Sequence, residues 1–193
     1  MDILIMKTIA GDLNKLLDKD IIGNELDFER ASILDRKLRV LVHEHPELAD
    51  KRKKLDAMLQ EYEDRVWINA EITEEKIQES DIAKAIAEQE WEFIFQRKNL
   101  IKVRLKGLSL TQKDLGKILG HTSISYMSEL MNGIYPFTMQ DLIILHLLLK
   151  IDFDNLIPTF LGINERSQIA EVLNSIGNLK IRLNQQTMEL IAI

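Results

Sequence analysis

Cysteine is missing altogether from this 193-residue chain, which excludes disulfides, thiolate nucleophiles and cysteine-bound zinc. Proline occurs three times, and two of the three punctuate helices: Pro46 suits a first turn and Pro158 stops a last one. No apolar run approaches the ~20 residues of a membrane span; the longest, Leu142 to Leu149, is broken by His146. The opening Met1-Asp-Ile-Leu-Ile-Met-Lys7 has neither the basic lead nor the apolar stretch of a signal peptide, so a cytoplasmic protein with no membrane partner is expected. Strand-like alternation, internal repeats and low-complexity tracts are lacking too, which leaves an all-α fold.

Catalytic sets are equally scarce. There is no glycine-rich phosphate loop and no nucleophile elbow, and the many carboxylates fall on solvated helix faces. His43-Glu44-His45 spaces its imidazoles two apart beside a proline, where a helical zinc site spaces them four apart. Neither an enzyme nor a metal or other cofactor is expected.

What is present is a chain apolar enough to bury a core, at 46%, and a charge that is unevenly placed. Residues 1–92 hold 14 Lys/Arg against 23 Asp/Glu, a net −9. Residues 93–135 hold 7 against 2, a net +5, and residues 136–193 come to −2. An acidic half beside a basic segment suggests two partners of opposite charge. The basic residues are Arg97, Lys98, Lys102, Arg104, Lys106, Lys113 and Lys117, placed where phosphates would be met.

That basic segment leads into a helix-turn-helix. Thr111 three residues before Asp114 has capping-box spacing, so a helix should start there, bury Leu115, Ile118 and Leu119, and end at Gly120. Gly116 inside this helix costs roughly 0.5–1 kcal/mol relative to alanine unless close packing requires it. After His121-Thr122, residues Ser123 to Asn132 form a second short helix closed by Gly133. Ile124, Met127 and Met131, with Leu130 beside them, supply its apolar stripe. Ser125, Ser128, Glu129 and Asn132 supply an outward polar row, led by Ser123 and Tyr126. Tyr126 either shields the core or reaches a duplex. Thr138 and Asp141 repeat the capping-box spacing before the apolar helix Leu142 to Leu149, and a last short helix covers Asp152 to Ile157.

The flanks divide the chain into three. Residues 1–80 read as an acidic helical domain: a helix over residues 3–17, then a hairpin of one helix from Asn24 to the region before Pro46 and another from Glu47 to about Asn69. Residues 81–158 form the helix-turn-helix domain, entered by a helix from Ile82 to Lys106, with the acidic stretch 70–81 as linker. Thr73-Glu-Glu-Lys76 could also cap a helix inside that stretch. Residues 159–193 form an extension in which Glu165 to Ile191 shows short-coiled-coil spacing, either packing back on the chain or pairing with a second copy.

Thr111-Gln112, Leu115, Leu119-Gly120, Asn132-Gly133, Phe137-Thr138 and the ending Ile151-Asp-Phe-Asp-Asn-Leu-Ile-Pro158 resemble the phage-repressor (Xre/Cro) helix-turn-helix. Within it the HigA-type antitoxins are most similar, because they carry a helical domain ahead of the DNA-binding one. The likeness spans about 50 residues of the helix-turn-helix, with Gly116 where the family usually has alanine and a turn about one residue longer than usual. It implies a symmetric homodimer on double-stranded DNA, at a palindromic operator, and a small basic toxin as second partner. Ser123, Ser125, Tyr126 and Glu129 would read bases, while Thr111, Gln112, Lys113, Lys117, His121, Ser128, Asn132, Tyr135 and Thr138 would hold phosphates. A stand-alone regulator and a helical scaffold with a degenerate helix-turn-helix are the alternatives.

Overall fold

The computed structural model describes residues 20–43, 45–68 and 70–159, together with 13, 14, 16–18, 169, 172, 175 and 176. The expected helix over residues 3–17 and the coiled-coil segment Glu165–Ile191 therefore lie largely outside the described residues. Among the described residues every regular element is helical and none is a strand, the all-α fold that the sequence indicates. No helix there is long and apolar enough to cross a membrane.

The first helix, α1 (Glu25–Leu41), starts where Asn24 accepts the Asp27 amide on its side chain. A 3₁₀ turn, Pro46–Leu48, leads into α2 (Ala49–Glu63), which relaxes into a π-helical turn over Asp64–Ile68. The two helices run antiparallel, because Glu25 and Phe28 at the start of α1 meet Tyr62 at the end of α2, and Asp35 near the end of α1 meets Arg52 near the start of α2. Between them lies a core of Leu38, Leu41, Leu48, Leu55, Met58 and Tyr62, joined by Leu13, Leu17 and Ile22. Arg52, half-buried on α2, donates to the buried Asp35 of α1 at 2.9 Å, giving a carboxylate at that depth a cationic partner across the hairpin.

Of the stretch 70–81 expected as a linker only 70–73 connect; 74–81 are helical, as the alternative of a cap at Thr73 has it. Thr73 caps α3 (Glu74–Gly107) by accepting the Lys76 amide, acidic Glu74 and Glu75 sit in its first turn, and Arg104 and Lys106 sit in its last. With no proline and no glycine before its end, this 34-residue helix spans roughly 50 Å. Its front half packs on α1 through Ala83, Ile86 and Ala87; its back half supplies Ile101 and Leu105 to a second core.

That second core holds α4 (Gln112–Ile118), α5 (Ile124–Met131) and α6 (Met139–Leu149) against α3. Leu115, Met127, Leu130, Met131, Leu145, Ile151 and Leu156 fill it. The segment expected as a last helix is only a 3₁₀ turn, Phe153–Asn155. Three successive helices end the same way. Leu110, His121 and Ile134 each donate a backbone N–H to the carbonyl five residues back, beside a residue of positive φ: Ser109, Gly120 and Gly133. This six-to-one closure satisfies carbonyls that the helix leaves open and turns the chain sharply into the next element.

Candidate nucleic-acid interface

The helix-turn-helix is built from caps. Thr111 Oγ1 accepts the Asp114 amide and donates to Asp114 Oδ2 at 2.6 Å, while the Thr111 N–H donates to the same oxygen at 3.1 Å. Ser123 Oγ accepts the Tyr126 amide at 3.2 Å to start α5, and Thr138 and Asp141 form a second complete capping box at the start of α6. The hydrogen bonds from Thr111, with Lys117 and Lys113 nearby, hold the Asp114 carboxyl below its ordinary range.

Gly116 is required by packing. A methyl group there would stand 2.8 Å from the His121 carbonyl oxygen, because the α4 closure brings the His121 N–H to the Gly116 carbonyl at 2.7 Å. The chain re-enters so tightly that only hydrogen fits.

Ser123 and Ser125 are exposed at the leading end of α5. Ile124 between them, expected inside, is 66% exposed, and an apolar side chain at that position is suited to a thymine methyl group. The two-turn helix turns its buried face through Met127, Leu130 and Met131 instead. Ile118 of α4 likewise faces out. Ser128 and Glu129 are half-buried. Tyr126 is half-buried against the second core, edge-on to His121 at 5.1 Å and tilted against Tyr135 at 5.6 Å. Its ring thus serves as a wall of the core.

Three expected phosphate donors are committed elsewhere, Thr111 among them, since its N–H and its hydroxyl both go to Asp114 Oδ2. Asn132 is 5% exposed, and its amide points at Ser128 Oγ; a side chain at that depth has no path to a phosphate. His121 Nε2 meets Asp141 Oδ1 at 3.0 Å. The buried Asp141 therefore ties the turn between α4 and α5 to the start of α6, using one oxygen for His121 and the other for the Thr138 N–H. Sequence reasoning found Asp141 as a cap and missed it as a tie. The only signal was a histidine in the turn, twenty residues away.

The basic segment also divides. Arg97 and Lys98 are buried; the Arg97 guanidinium lies over Phe93 and Phe137 at 5.1 and 5.2 Å and donates to the Leu156 carbonyl at 3.2 Å. Burial pulls its pKa down to about 10. These two are structural cations. Arg104, Lys106, Lys113 and Lys117 are exposed, Lys117 making only a loose 3.8 Å pair with Asp114, worth little in salt water. Thr111, Tyr135 and Thr138 are exposed and Gln112 half-buried. Backbone N–H groups at the starts of α4 and α5 and the exposed Ser123 and Ser125 side chains, with four exposed cations, can meet anionic oxygens on one side and polar or methyl base edges on the other.

Family models, curated proteins and solved structures offer no match to this chain.

Proposed function

We propose that the chain is a sequence-specific DNA-binding repressor of the phage-repressor-like kind, and the antitoxin of a HigA-type pair that neutralises an mRNA-cleaving toxin and represses its own operon. The observation that carries the DNA reading is the exposed leading edge Ser123-Ile124-Ser125 of a doubly capped α4–turn–α5 unit, with Lys113 and Lys117 exposed on the preceding helix. α5 lies in a major groove and Lys113 and Lys117 neutralise phosphates. A second copy places its own α5 about 34 Å away.

Support for the dimer comes from α6, where Met139, Ile143 and Leu147 recur every four residues and stay exposed. A helix apolar on all sides belongs inside a larger assembly. The acidic N-terminal half, at −9 over residues 1–92, favours encounter with a basic ribonuclease.

A mobility shift with the DNA upstream of its own gene tests the reading: a discrete, competitor-resistant complex is expected. Co-purification from the native locus with a small basic protein is expected for the antitoxin role; a shift without such a partner leaves a stand-alone regulator. The absence of arginine from α5 and the presence of Glu129 favour a second reading, a helical scaffold that has lost DNA binding, and failure to shift any upstream fragment would establish it.

A further inference from the structure

At the end of the N-terminal hairpin an open cleft of about 300 Å³ is lined by Glu25, Phe28, Glu63, Trp67, Ile68 and Ser80. It exists because α2 widens into its π-helical turn at Asp64–Ile68, which sets Trp67 and Ile68 across from Phe28 on α1; such turns often mark functional sites. Glu25 is 7% exposed, one carboxylate oxygen accepting the Tyr62 hydroxyl at 2.9 Å and the other, Oε1, buried with no partner. Glu63 stands on the wall, and among the described residues no cation pairs with it. Nearby cations have acceptors of their own. Lys76 bonds the Val66 carbonyl beneath the Trp67 ring, and Arg65 bonds the Ile22 carbonyl and pairs with Glu61.

We propose that this cleft receives the cationic end of a basic residue, a guanidinium or ammonium group, from a protein partner. A buried carboxylate oxygen without a donor calls for one. Phe28 and Trp67 offer the aromatic faces that attract a cation, as Trp67 does for Lys76 at 5.3 Å. The volume lies at the floor of the ~300–1,000 Å³ range of small-molecule pockets, sized for one long side chain. A protein source follows from the −9 charge of residues 1–92, which steers a basic surface toward it. The inference deepens the partner reading of the acidic half and is independent of the DNA reading.

The test uses the full chain with Trp91→Phe, leaving Trp67 as the reporting fluorophore, titrated with N-acetyl-arginine amide, N-acetyl-citrulline amide and agmatine. Saturable quenching by the arginine probe is expected, at least about tenfold weaker with the neutral citrulline probe or in Glu63→Gln, where a charge-assisted contact is lost. Glu25→Gln, which still accepts from Tyr62, should weaken it as much. Equal response to arginine and citrulline, or none, would overturn the site. Binding of agmatine without the capped arginine would overturn the protein source in favour of a free amine. Glu63→Gln should shift upstream DNA like the parent, so loss of the cleft and loss of DNA binding are read separately.

Discussion

Asp114 and Arg97 show how differently single charges serve this fold. Asp114 is a surface carboxylate whose bonds from Thr111 keep it ionised below its usual value of 3.8. Its depressed pKa means that the stabilisation is present above the ordinary carboxylate range and disappears as pH falls through the folded-state value. Urea unfolding of Asp114→Asn against the parent should therefore show a deficit at neutral pH that closes in acid; a deficit constant across pH would contradict the capping role. Arg97 is the reverse case. Its guanidinium Nε is buried without a partner, and a base pulled down to about 10 carries a charge that opposes folding at neutral pH. Arg97→Met, which keeps the contacts with Phe93 and Phe137, should be within about 1 kcal/mol of the parent or more stable. A loss above ~3 kcal/mol, the size of breaking a needed buried pair, would show the cation to be essential.

At the scale of elements, glycines give opposite expectations. Gly116→Ala gains helix propensity, yet its methyl would sit 2.8 Å from a backbone carbonyl, so a net loss of about 1–3 kcal/mol is expected from overpacking. Gly107→Ala meets nothing within 4 Å and should gain up to about 1 kcal/mol. Denaturant midpoints of the two variants check both signs; stabilisation by Gly116→Ala would refute the close approach. Much of this region was legible in sequence because caps are local chemistry: Thr111 with Asp114, Ser123, Gly120 and Gly133 mark the ends of α4 and α5 within a residue or two, while Thr138 with Asp141 caps an α6 that begins at Met139, three residues ahead of the Leu142 expected. Facing was less legible. In helices of seven and eight residues, a fraction of a turn about the helix axis decides whether Ile118 and Ile124 are buried, and that rotation is set by packing on α3 and α6. The acidic composition of 70–81 suggested a linker, whereas the single Thr73 cap carries a helix through it. The exposed serines and lysines of the candidate site could be read directly; the burial of Asn132, Arg97 and Lys98 and the tie from Asp141 to His121 required the fold.

For the whole molecule, α3 packs its front half on α1 of the acidic hairpin and gives Ile101 and Leu105 of its back half to the core beneath the helix-turn-helix. The exposed α6 stripe gives the expected dimer a testable face. Ile143→Glu with Leu147→Glu should convert a dimer to a monomer in sedimentation and weaken operator binding while leaving the helical circular dichroism intact; an unchanged dimer would move the interface elsewhere. The sharpest measurement is the salt dependence of upstream-DNA affinity, followed by fluorescence anisotropy, for the parent and for Lys113→Ala with Lys117→Ala. Two released counterions should lower the slope of log affinity against log salt by about 2 and weaken binding at every concentration. An unchanged affinity and slope would mean that these lysines touch no phosphate, and α4 and α5 would not be the surface that meets DNA.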